Sequence, residues 1–182
     1  TISPENTSIK WNGETYPFAE WNQDQTLASA MASSVNWYFQ TIDKKLEKER
    51  IISYLEQINY GNKRITGDLS SYWMESALKI SPVEQVELLI DLYNNNFDFS
   101  IENITAVKNA LCISSSDTYA LYGKTGTGRV NEKDISGWFI GYVETTDTTY
   151  FFATNIRANT NATGSHAAEI TFDIFKNLNI IT

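Results

Sequence analysis

From Thr118 onward the chain changes character, and that change limits the folds open to it. The runs "TYALYGKTGT", "GWFIGYVE" and "TYFFATNI" are rich in aromatic and β-branched side chains and are separated by polar turns, the last two by Thr145-Thr146-Asp147-Thr148. Such runs read as strands, and short polar turns between them imply antiparallel pairing. After the polar loop "RANTNATG", Ser165 stands where a cap is expected for a final helix, whose Ile170, Ile174, Phe175 and Leu178 should lie against that sheet. Before Thr118 the apolar residues recur at helical spacing instead. Leu27, Ala30, Met31, Ser34, Val35 and Tyr38 predict one helix, opened by Asn22 or Asp24. Lys44 to Ile58 predicts a second, with Leu46, Ile52, Leu55 and Ile58 beneath the charged run "KKLEKER". Ser81-Pro82-Val83-Glu84 joins a capping box to a proline at the first helical position, and Val83, Val86, Leu89 and Tyr93 follow as a stripe. "NNNFDFS" reads as a loop leading to a short helix from about Ile101 to Cys112. Helices, then strands, then a helix give an α+β fold: an antiparallel sheet flanked by helices, with a mostly helical region ahead of it. No repeat, linker or low-complexity tract divides the chain, so residues 1–182 are expected to form a single domain.

Composition removes several classes of function. At 182 residues, 42% hydrophobic and 13% aromatic, the chain can bury a core. A net charge of -8 opposes a nucleic-acid partner, which needs a basic face to displace counterions. Cys112 and His166 are each the sole residue of their type, so neither an internal disulfide nor a Cys/His metal site is expected. The apolar run from Trp138 to Val143 is far short of the roughly 18 residues that span a bilayer, and membrane contact by this segment itself is not expected. The opening "TISPENTSIKW" has neither an initiator methionine nor an opening element, the appearance of a C-terminal fragment of a longer protein.

The stretch "YGKTGTG", Tyr122 to Gly128, puts a lysine, two threonines and three glycines on one predicted strand. A phosphate loop would need Gly-x-x-x-x-Gly-Lys-Ser/Thr, and here the lysine precedes the glycines. Two further signals stand upstream at long separations: Ser34-Val35-Asn36 on the first helix and Tyr60-Gly61-Asn62 at the end of the second. With "WNQDQTLASAM", Tyr72-Trp73, "LKIS" and "GWFIGYVE", their order resembles the penicillin-recognising serine proteins of the class D β-lactamase type, nearly end to end. Within that superfamily the chain looks most similar to the extracellular β-lactam sensor domain of BlaR-type signal transducers.

That resemblance implies a site and its parts. Lys124 would supply positive field, the Thr125 and Thr127 hydroxyls would bind the carboxylate of a β-lactam, and the Thr127 N–H would face the developing oxyanion. Gly126 would let the drug lie along the strand edge like one more strand. Ser34 would relay a proton toward the lactam nitrogen. Trp73 would donate its indole N–H to a carboxylated lysine, a carbon dioxide adduct on a residue outside this chain; no other cofactor is implied. The nucleophile in Ser-x-x-Lys is expected before Thr1. The literal match Ser76-Ala77-Leu78-Lys79 comes after Ser34 and so in the wrong order, and Thr7-Ser8-Ile9-Lys10 has threonine in the first position. Tyr60 and Asn62 are read as structural, fixing the loop that carries Trp73, and Trp138 as packing under the site. "TGSHAAE" carries no arginine to hold a drug carboxylate, and Arg157 is read as a strand end without that role.

Asn36 orders the functional alternatives. Many class D hydrolases have an apolar residue there; an asparagine amide can hydrogen-bond the lysine and favour loss of the carbamate, leaving deacylation without its base. This reading gives a sensor acylated outside the cell, at the outer membrane face. The alternative is a secreted or lipid-anchored class D β-lactamase, to which the apolar Met74 beside Trp73 points. The third is a non-catalytic cell-wall-binding module.

Overall fold

The computed structural model describes residues 6–74 and 77–181. Among them a four-stranded antiparallel sheet runs in the order β1-β2-β3-β4: Cys112–Ser115, Tyr119–Val130, Lys133–Thr145 and Thr149–Arg157. The last three are the runs read from the sequence, joined as consecutive hairpins with Tyr119 opposite Thr145 and Gly137 opposite Ile156. β1 was not expected. The predicted helix through Cys112 ends one residue earlier, as α5 (Ile101–Leu111), and the chain turns directly into a strand paired with Ala120–Tyr122 of β2. Beyond Tyr122, β2 therefore has β3 on one side and, among the described residues, an open edge on the other.

α6 (Gly164–Asn177) crosses one face of the sheet. Leu121, Phe139, Val143 and Phe152 rise from the strands and close on Ala167, Ala168 and Phe175 as the main core. Two expectations fail here. Thr163, not Ser165, caps α6, its hydroxyl accepting from the His166 N–H at 3.2 Å. Ile174 and Leu178 are 47% and 64% exposed, while the small residues Ala167, Ala168 and Thr171 face the strands. The cause is close approach: a Cβ on Gly164 would stand 2.7 Å from the Gly126 carbonyl oxygen and 2.9 Å from Thr125 Cβ. A helix seated that near a sheet favours small side chains facing the strands near its N-terminal end.

On the opposite face lie α4 (Pro82–Tyr93) and α5. The expected capping box is present, with Ser81 Oγ accepting from the Glu84 N–H and the Glu84 carboxylate accepting from the Ser81 N–H at 2.8 Å. The helix is rolled from its expected stripe: Gln85 and Leu89 are buried and Val83 is exposed. Tyr93 sets this roll by standing edge-on to Tyr142 and Phe151. Lys108 of α5 donates to Glu144 at 2.6 Å while lying 4.9 Å from the centre of the Tyr122 ring.

The single helix expected from Asn22 is two, α1 (Leu27–Ala32) and α2 (Asn36–Asp43). Thr26 caps α1 in a reciprocal box with Ser29. Asn22 and Asp24 are committed elsewhere, Asn22 to the Tyr16 and Phe18 backbone and Asp24 to the Trp11 N–H. α3 spans Lys48–Gln57, shorter than expected, because residues 44–46 form the turn that closes α2. Two smaller cores serve this region: Ala30, Val35, Trp37 and Tyr38 among the N-terminal aromatics, and Ile51, Leu55 and Ile65 beneath Tyr60 and Leu78.

Candidate functional site

Ser34 occupies the break between α1 and α2, and its backbone is in the left-handed region at φ 51°. The Val35 N–H reaches the Ala30 carbonyl at 2.8 Å and the Ser34 N–H the Met31 carbonyl at 3.3 Å, the hydrogen-bond pair of a Schellman motif. Three other helices end in the same way, with Asn59, Asn95 and Asn179 at the left-handed position. Asparagine tolerates that conformation and serine does so less well, at a cost of roughly 1 kcal/mol or more. Among the described residues a serine is held there only at the α1–α2 junction, and the Trp21 indole fixes it further by donating to the Ser33 carbonyl at 2.9 Å. The Ser34 side chain is exposed. A non-glycine residue kept under local strain and left facing outward is a functional candidate on physical grounds.

The second group stands on the open half of β2. Lys124 donates to the Thr125 carbonyl at 3.0 Å, and burial pulls its ammonium below the usual lysine range. Gly126 faces Trp138 across the β2–β3 pairing, whereas Thr125 lies against Gly164, so the alternation of the strand sends the two threonines toward the head of α6. Thr127 Oγ1 accepts from the Gly164 N–H at 2.9 Å, which leaves the hydroxyl proton free to donate. Gly126 and Thr127 are exposed, along an edge whose backbone groups have no strand partner among the described residues. Such an edge can accept an extended amide ligand, with a cation and a hydroxyl beside it.

A third group surrounds Trp73. Its indole N–H donates to Asp43 Oδ2 at 2.9 Å, so the donor expected to face a lysine carbamate is held by a carboxylate at the end of α2. Asn36 opens α2 and places its amide nitrogen 3.9 Å from Met74 Sδ, a weak acceptor. Nothing in the sequence reading anticipated Asp43; its one signal was a polar residue seven positions after Asn36, on the same helix face. Asn62 ties down the segment that follows Trp73, and Tyr60 packs on the Ile51–Leu55–Ile65 core. Asn62 donates to the Ala77 carbonyl at 2.8 Å and accepts from the Lys79 N–H at 3.0 Å. Gly61, at φ 45°, passes so close to Lys79 that a Cβ would lie 2.0 Å from its carbonyl oxygen. Ser76 lies outside the described residues.

The structure thus assembles Thr125, Gly126 and Thr127 with the head of α6, with Lys124 against Thr125 on the same strand, and Asn36 and Trp73 with α2. Among the described residues no hydrogen bond or ion pair joins these groups to each other. Trp138 and Arg157 line an open groove of about 460 Å³ with Gly61, Asn62 and Lys79. Among the described residues no cluster of three or more His, Cys, Asp or Glu could hold a metal, and no helix is long and apolar enough to cross a membrane.

Comparison with known proteins sets this geometry in context. Residues 1–177 match the model of the penicillin binding protein transpeptidase domain. The methicillin resistance mecR1 protein of Staphylococcus aureus is 46% identical over 180 residues, 99% of this chain and 31% of that protein. The chain therefore spans under a third of that relative. The probable beta-lactamase YbxI of Bacillus subtilis is 37% identical over 173 residues, 95% of this chain and 62% of that protein. The solved C-terminal domain of the Bacillus licheniformis BlaR penicillin-receptor superposes with a TM-score of 0.94 at 44% identity, covering 100% of this chain and 73% of that one.

Proposed function

The chain belongs to the penicillin binding protein transpeptidase domain family, and from that premise we propose that it is the β-lactam-binding part of a membrane-tethered sensor, displayed outside the cell and signalling resistance. The observation that carries this reading is the open edge of β2, where Lys124, Thr127 and exposed backbone stand beside the head of α6. A β-lactam fits that edge: its carboxylate meets the Lys124 field and the Thr127 hydroxyl, and its amide continues the strand. An active-site serine and its lysine, outside this chain, would form the acyl bond, with Ser34 passing a proton to the lactam nitrogen.

Asn36 favours sensor over hydrolase. Its amide, held among the described residues only by a methionine sulfur, is available to a neighbouring lysine, which would disfavour a carbamate and leave the acyl-enzyme long-lived. Time-resolved mass spectrometry of the intact protein with benzylpenicillin tests this. A persistent adduct is expected; rapid loss of adduct with product turnover would make the chain a class D β-lactamase instead, the reading that the YbxI likeness supports. Asn36→Val should speed deacylation, seen on chasing with unlabelled drug. Lys124→Ala should slow acylation under either reading. Because burial lowers the Lys124 pKa, the ammonium is lost before an ordinary lysine would be. Acylation is thus expected to fall as pH rises through that lowered value, and a rate flat across the alkaline range would remove Lys124 from the site.

A further inference from the structure

Three side chains along one face of α2 hold one short loop. Asn36, Gln40 and Asp43, at i, i+4 and i+7, point the same way on a helix. Each meets the segment from Ser70 to Met74: Asn36 the Met74 sulfur at 3.9 Å, Gln40 the Ser70 carbonyl at 3.0 Å, and Asp43 the Trp73 indole at 2.9 Å. The turn of the loop is closed from within by Asp68, through the Ser70 and Ser71 N–H groups. The strongest of the three contacts is the charge-assisted one at Asp43. Burial raises the Asp43 pKa and the Trp73 bond opposes that rise, as for a carboxylate that has lost water and gained one good donor. An indole offers a single N–H, so while Asp43 accepts it no second acceptor can.

We propose that Asp43 is the positioning residue of Trp73, and that Asn36, Gln40 and Asp43 form a clasp by which the state of the site at Ser34–Asn36 sets the placement of the Ser70–Met74 loop. The relay half of this rests on the sensor reading above; the positioning half does not. The test uses the intact protein with 5-fluorotryptophan at its five tryptophans, the Trp73 resonance being identified by its loss in Trp73→Phe. In Asp43→Ala the Trp73 signal should move, with the ratio of held to displaced indole falling about tenfold, as loss of one charge-assisted hydrogen bond gives. Asp43→Asn keeps the size and an acceptor oxygen and should restore most of the original position. Trp11, Trp21, Trp37 and Trp138 report in the same spectrum that the fold is intact. A Trp73 signal unchanged in Asp43→Ala, or displaced equally in Asp43→Asn, overturns the positioning role. Benzylpenicillin should shift Trp73 in the wild type and not in Asp43→Ala. An adduct formed without that shift overturns the relay and leaves the sensor standing; no adduct at all overturns the sensor, while the drug-free spectra still judge Asp43.

Discussion

The sheet with α6 and the helical region around α2 are built on opposite principles. In the first, backbone sets the geometry: three long strands paired in register but for one bulge between Gly128 and Arg129, a helix seated against them through Gly164, Ala167 and Ala168, and a core of large side chains. In the second, side chains do so: two helices of six and eight residues, a strained junction, and a loop held by Asn36, Gln40 and Asp43. A backbone frame suits groups that must stay put, such as the donors beside Lys124. A side-chain clasp suits groups that have to respond, because single hydrogen bonds of about 1 kcal/mol can be exchanged without unfolding anything.

Substitutions can break this contrast. The largest effect is expected from Gly61→Ala, which meets the Lys79 backbone and a left-handed φ together; it should cost about 3 kcal/mol or more in denaturant titration. Its disorder should stay in residues 60–80, visible as faster amide exchange there with the strands still protected. Exchange rising equally in β3 would mean that the two regions are one cooperative unit. Gly164→Ala attacks the other side, lifting the head of α6 from Gly126, with an expected loss of about 2–3 kcal/mol. There the Trp73 signal should not move. Glu144→Gln should cost about 1 kcal/mol by leaving Lys108 among Tyr93 and Tyr122 without its counter-charge. For Lys108, burial lowers the pKa, while Glu144 together with Tyr122 and Tyr93 raises it, and the net shift is upward. The stability this pair contributes is therefore present below the unfolded lysine pKa and lost as pH rises through the folded one. The smallest effect is a gain: Ser34→Asn should stabilise by up to about 1 kcal/mol, matching the other three helix ends. A loss of stability instead would mean that the junction is not strained.

The same contrast decides what the sequence disclosed. β2, β3 and β4 were legible because alternation and turn residues act locally, and the Ser81 capping box because its two partners are three residues apart. The α1–α2 break was hidden because the residue at its left-handed position is Ser34, where a glycine would have announced a helix end. β1 was hidden because four residues following a helix carry no period of their own. α6 showed the right span and half of the right face: Phe175 packs inward as expected, but Ile174 and Leu178 look inward by hydropathy only, because the close approach at Gly164 selects small residues, a fact of three-dimensional fit that no local window contains. In the site, Lys124 to Thr127 were readable as a motif. The Asp43–Trp73 bond joins residues 30 positions apart and carries no motif.

One consequence follows from the short reach of β1. A four-residue strand screens the opening turn of β2 and leaves the following stretch able to hybridise with any outside chain that presents amides at the right pitch. Whatever docks there is incorporated into the architecture as a visiting fifth member of the sheet. Occupancy then registers as slowed solvent exchange in Lys124 to Gly128, a signature legible without knowing the visitor's chemistry.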